Sequence, residues 1–175
     1  MRGRTVGLVL IASALAAGAG MYWAQVYAFY DPVEAKVEDV QLTGLVSGVG
    51  EPIPHENFKG IDADSSPLRY RACYDIGLSL AALSEEFVAY ADPVPLEAPG
   101  WFDCYDADEV GSALETGAAL AFLGEANVTY GIDRVVAVFR DGRARAWHQI
   151  NICGEEVFDG RPPPEGCPPA PEREE

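Results

Sequence analysis

Four cysteines, two histidines, a calcium-like run of acids and a row of arginines are the residues with which this chain could do chemistry. Cys73, Cys104, Cys153 and Cys167 form an even set, separated by 31, 49 and 14 residues. None lies in a C-x-x-C pair and the spacings match no common zinc finger, so thiol redox chemistry and structural zinc lack support. Structural disulfides in an oxidising compartment are the expectation. Of the three connectivities, Cys73–Cys104 with Cys153–Cys167 closes the shorter loops and is favoured.

His55 stands in a Pro-rich stretch and His148 on the expected core face of a hairpin. A lone histidine on an apolar face is more often a hydrogen-bonded core residue than a ligand. Asp62-Ala63-Asp64-Ser65-Ser66 starts like a calcium loop. Pro67 then stands where the sharp turn needs glycine and the distal glutamate is missing, which excludes an EF-hand. Close acids such as Asp106 with Asp108, or Glu85 with Glu86, arise by chance among 28 carboxylates and suit solvated helix ends. There is no G-x-S-x-G elbow and no glycine-rich phosphate loop. Nothing implies a cofactor or a metal.

The strongest local pattern is Ile132 to Ile150, two β-rich runs about Asp141-Gly142, a pair suited to a two-residue type I′ turn. That turn pairs Arg140 with Arg143, Val138 with Arg145 and Val136 with Trp147. Val135, Ala137, Phe139, Ala144, Ala146, His148 and Ile150 then share an apolar core face. Arg134, Arg140, Arg143, Arg145 and Trp147 share the other. Four like charges on one face call for nearby anions, supplied either by the chain's own acids or by an acidic protein partner.

The elements that position these residues follow from periodicity. Val40–Val46 reads as a strand, 47–67 as a long connection, and Leu68–Ile76 as an alternating strand. Ser79 caps a short helix that ends before Asp92-Pro93, although Phe87–Tyr90 also suits a strand. Asp106 caps a second helix ending near Gly117, with Ala118–Leu123 as a strand after it. The fold class is therefore α+β, a small mostly antiparallel sheet with about two short helices. Residues 160–175, with their prolines and terminal acids, read as a disordered tail.

Residues 5–30 carry no charge, and a 26-residue helix of about 39 Å exceeds a hydrocarbon core of about 30 Å. Arg2 and Arg4 precede this segment, while Asp31 and Glu34 follow it. The positive-inside rule places 1–4 in the cytoplasm and 31–159 as a domain in the periplasm of a bacterial inner membrane. Tyr22, Trp23, Tyr27, Phe29 and Tyr30 form an aromatic belt at the distal end. A cleaved signal peptide with Ala17-Gly18-Ala19 as its cleavage site is the rival, opposed by the apolar run that continues past it. Ala12, Ala16, Gly20, Ala24 and Ala28 make a stripe of small residues suited to pairing with another membrane helix. Beyond residue 30 the chain holds ten Lys and Arg against 28 Asp and Glu, a net of −18, which disfavours nucleic acid.

Several runs resemble an alphaproteobacterial family of short, membrane-anchored proteins of unknown function. They are Tyr27–Tyr30, Gly60–Ala63 with Ser65–Leu68, Ala98–Phe102 with Cys104, Ala121–Glu125, and Asp133–Val138 with Asp141–Arg143 and Ala146–Gln149. The resemblance runs from Leu8 to Asn151, and the tail with Cys167 departs from its pattern. It supplies no catalytic residues. Histidine-kinase activity, sometimes ascribed to the family, needs a cytoplasmic dimerisation helix with a phosphoacceptor histidine and an ATP lid rich in Asn and Gly; this chain has neither. The leading expectation is a non-catalytic accessory subunit with a membrane or periplasmic protein partner. The alternatives are an envelope enzyme using His148, and a metal or small-ligand sensor using 55–67.

Overall fold

The computed structural model of the chain describes residues 3–28, 30–34 and 40–171. Arg2, Phe29 and Glu172–Glu175, to which the sequence assigns roles in orientation, belt and tail, lie outside them. The uncharged segment forms one α-helix, α1 (Gly3–Val26), long and apolar enough to cross a membrane and with none of its residues buried. It stops at Val26 rather than at residue 30, because Asp31–Val33 is already strand β1. Ala12, Ala16, Gly20 and Ala24 of the small-residue stripe lie within α1; Ala28 lies beyond it.

The domain is α+β. The remaining elements are β2 (Gln41–Thr43), β3 (Gly50–Pro52), β4 (His55–Asp62), β5 (Arg71–Ile76), α2 (Leu80–Glu86) and α3 (Ala107–Glu115), followed by β6 (Ala119–Thr129), β7 (Ile132–Phe139), β8 (Arg143–Ile150) and α4 (Ile152–Phe158). Six strands form an antiparallel sheet in the order β1-β4-β5-β8-β7-β6, and β2 with β3 makes a separate hairpin. Side chains alternate across a strand, so each apolar strand feeds two cores. Tyr70, Ala72, Tyr74, Val136, Val138, Ala144 and Ala146 pack under the β2–β3 hairpin and α2, against Leu42, Ile53, Leu83 and Phe87. Cys73, Val135, Ala137, Phe139 and Trp147 pack on the other side against α3 and the 93–105 loop, through Val110, Phe102 and Tyr105.

Both helix caps read from the sequence are present. Ser79 accepts from the Ala82 N–H and Asp106 from the Glu109 N–H. Phe87–Tyr90 is extended and bridges to Gly44 and Phe122, the strand alternative. The long connection expected over 47–67 is overturned, since it contains β3 and all of β4. Its glycines and prolines mask a strand whose first half is mostly exposed and interrupted by a bulge between Glu56 and Lys59. A third short helix, α4, follows β8 and is capped by Asn151, whose side chain accepts from the Gly154 N–H.

The hairpin exists, but its register differs from the two-residue expectation. Val138 lies opposite Ala144, Val136 opposite Ala146, and Arg134 opposite His148. The connection is three residues long and ends on Gly142 at φ +89°, whose N–H donates to the Phe139 carbonyl at 3.1 Å. Glycine at that left-handed position makes the three-residue loop accessible, and a slip of one residue moves every β8 side chain to the opposite face. Ala144, Ala146 and His148 therefore join Val136 and Val138, while Arg145 and Trp147 join Val135 and Ala137.

Candidate functional site

The register decides what becomes of the arginines. Arg134 lies beside His148 on one face and Arg145 beside Trp147 on the other, so no single arginine face exists. Trp147 is fully buried, which removes it as an exposed anchor. Each arginine is engaged by the chain itself. Arg134 pairs with Glu125 at 3.4 Å and stacks over the Tyr70 ring at 4.6 Å. Arg140 donates to the Gly117 carbonyl at 3.1 Å. Arg143 meets Glu109 at 2.9 Å and Asp141 at 2.8 Å, and these bonds raise its pKa while holding the Asp141 carboxyl low. Arg145, buried, donates to the Ala144 carbonyl at 2.8 Å and faces the Phe139 ring. Of the two anion sources weighed from the sequence, the chain's own acids meet Arg134 and Arg143.

His148 is held at both ring nitrogens. Nδ1 lies 2.7 Å from the Pro67 carbonyl, and Nε2 lies 3.2 Å from Nε of Arg134. A carbonyl only accepts and a guanidinium only donates, so Nδ1 carries the proton and Nε2 takes the Arg134 hydrogen bond. The ring is neutral and stacks on Tyr70 at 4.6 Å. Burial, reinforced by the charges of Arg134 and Arg71, lowers its pKa to about 4. With its lone pair spent, this imidazole cannot act as a base toward a bound molecule.

Arg71 and Asp133 also bind the chain to itself. Arg71 donates to the carbonyls of Leu68, Tyr70, Leu96 and Glu97 and so ties β5 to the 93–105 loop. Asp133, named in the sequence only as part of the family-like run and given no role there, receives the Asn127 N–H at 2.9 Å and Asn151 Nδ2 at 2.7 Å on one oxygen. Tyr90 Oη donates to its other oxygen at 3.2 Å. This knot joins the end of β6, the start of β7, the cap of α4 and Tyr90. Its signal in the sequence was faint, an Asn on each side of the hairpin with no partner in sight. Asp62, at the end of β4, accepts from the Ala63 N–H, and burial raises its pKa. Among the described residues no group of three His, Cys, Asp or Glu is placed to hold a metal ion.

Both favoured disulfides are present, Cys73–Cys104 and Cys153–Cys167. The first fixes the 93–105 loop to β5. The second ties the proline-rich segment to α4, where the Pro168 carbonyl also receives Tyr130 Oη at 3.2 Å. An open cleft of about 850 Å³ lies between that segment and Tyr130, Ile132, Val157 and Phe158. Its walls are mainly apolar, and His148 touches it only indirectly, through Pro67.

Three exposed apolar side chains project from the tip of the β2–β3 hairpin. Val46 is 102% exposed, Val49 61% and Leu45 51%. The tip is nevertheless well braced. The Gly44 N–H donates to Val49, the Gly48 N–H to Gly44, and the Leu45 N–H to Glu86 at the end of α2. Ser47 Oγ donates to Glu51 at 2.6 Å.

A family model matches residues 40–168, well over half of the chain, and its description is a family of unknown function (DUF6446). The match runs through Cys167, so the second disulfide, expected to depart from the family pattern, lies inside it. No curated protein and no solved structure matches the chain.

Proposed function

Because the chain belongs to this family of unknown function, its role has to be read from its own surface, and we propose that it is a non-catalytic accessory subunit of the bacterial cell envelope. In this reading α1 anchors it in the inner membrane, and residues 31–159 stand in the periplasm and dock a membrane or periplasmic protein through the β2–β3 tip. The observation that carries the proposal is the contrast between the domain's polar and apolar groups. Arg71, Asp133 and His148 are spent on internal bonds, while Leu45, Val46 and Val49 project from a braced hairpin into solvent. A monomer gains nothing from such a tip, whereas a partner's apolar groove would remove it from water at about 25 cal/mol per Å². The charge asymmetry about α1 and the disulfides support the periplasmic placement. The resemblance to membrane-anchored alphaproteobacterial proteins points the same way.

The test is photocrosslinking in intact cells, with a benzophenone side chain at Val46 of the full chain. A discrete protein adduct, lost when Leu45 and Val49 are both replaced by Ser, is the expected result. Adducts to lipid only, or a protein adduct indifferent to the Ser pair, would overturn the docking role.

A further inference from the structure

We infer that the 93–105 loop seats the domain on the bilayer surface, with Trp101 lying at the level of the phospholipid headgroups. The inference rests on the membrane anchoring proposed above and adds a lipid-binding surface to it. Trp101 Nε1 donates to the carbonyl of Val26, the last residue of α1, at 2.7 Å. From Arg4 to Val26 the helix rises about 33 Å at 1.5 Å per residue, and an ordinary tilt of about 20° leaves about 31 Å along the membrane normal. The hydrocarbon core is about 30 Å thick. With the Arg4 guanidinium held at one surface, the Val26 carbonyl emerges at the other, and the indole bonded to it is fixed at the same depth.

The surroundings suit that depth. Tyr27 stacks on Trp101 at 6.1 Å and Tyr30 meets it edge-on at 5.9 Å. Indole and phenol rings favour this level because the ring is apolar and one edge is polar. The Arg69 guanidinium lies 5.4 Å from the Tyr30 ring centroid, placing a cation where lipid phosphates are found. The loop cannot drift from the sheet. Cys104 is bridged to Cys73, Arg71 holds the carbonyls of Leu96 and Glu97, and Phe102 is buried beside Trp101. The chain beyond residue 30 carries a net charge of −18 and is repelled by anionic lipid, so the fitting partner is a zwitterionic phospholipid surface.

Tryptophan quenching by brominated lipid tests this in nanodiscs of zwitterionic phospholipid that carry the full chain. Trp23→Phe leaves Trp101 and the fully buried Trp147, and the emission lost on adding Trp101→Phe belongs to Trp101. Bromines near the headgroup should quench that emission about twofold more than bromines near the bilayer centre, as for an interfacial indole. Should the double variant not fold, the Trp23→Phe chain alone reports the same preference. Quenching that is absent, equal or stronger from the centre overturns the seating. If Trp23 of the unaltered chain is quenched in that case, the anchor stands without the seat; if Trp23 is not quenched either, the anchor fails as well.

Discussion

At the residue scale, burial turns groups that resemble catalytic candidates into fasteners. His148 shows the physics most plainly. Burial disfavours the charged ring, and protonation would also replace the bond accepted from Arg134 with two cations in contact, so its pKa falls from 6.5 to about 4. Between those values the unfolded chain takes up the proton and the folded one does not. The stability contributed by the neutral ring is therefore complete above pH 6.5 and lost as the pH falls toward 4, by about 3 kcal/mol in all. Asp62 acts in the opposite sense, because its raised pKa makes the folded state the better proton acceptor. Urea unfolding of the full chain in detergent, at pH 7 and pH 4, with and without His148→Gln, separates the two. The variant should lose most of the acid sensitivity; an unchanged pH slope would mean that His148 is not the neutral, buried group described.

At the element scale, close approaches hold the fold where side chains are smallest. The β6–β7 turn meets α4 at Gly131 and Gly154. A Cβ on Gly131 would fall 2.5 Å from the Gly154 Cα, and Gly131 also has φ +77°. A Cβ on Gly154 would strike the Gly131 carbonyl. Replacing glycine by alanine inside a helix ordinarily stabilises by up to about 1 kcal/mol. Here Gly154→Ala should instead cost about 1–3 kcal/mol, because backbone rather than a flexible side chain must move. Denaturant unfolding measures the sign directly, and a stabilised variant would show that α4 does not pack on the turn. The Asp133 knot and the Asn151 cap lie at the same junction. The turn, α4 and the Cys153 bridge consequently hold one another in place.

On the scale of the whole molecule, one apolar helix carries a domain whose two cores share a single sheet. The acids of the chain all follow α1, whereas Arg2 precedes it in the sequence and Arg4 lies in its first turn. That asymmetry yields an orientation that can be measured. Alkaline phosphatase fused after Glu175 should be active in cells, and a reporter that works only in the cytoplasm should be silent there. The reverse pattern would place the domain on the inner side. It would also deprive the two disulfides of the oxidising compartment that sustains them.

The sequence by itself determined the features set by local chemistry. The uncharged run announced a long apolar helix, though the helix ends at Val26, and Ser79 and Asp106 carry their caps in their own side chains. Asp141-Gly142 marks a turn, and the spacing of the cysteines favours the pairing found. The alternating run of β5 and the two β-rich runs about Asp141-Gly142 announced the sheet, because which residues share a face is a property of each strand alone. Only the tertiary structure decided the rest. The loop at Gly142 is three residues rather than two, a choice settled by packing on both sides of the sheet. That single step separated Arg134 from Arg145 and buried Trp147, dissolving the arginine face. Strand β4 became visible only through its neighbours β1 and β5, since its glycine and charged residues gain their order from hydrogen bonds across the sheet. The Asp133 knot, the Trp101–Val26 bond and the contact of Gly131 with Gly154 join residues distant in the chain. Pattern within a segment holds no information about such meetings, because their energy exists only once the segments have met.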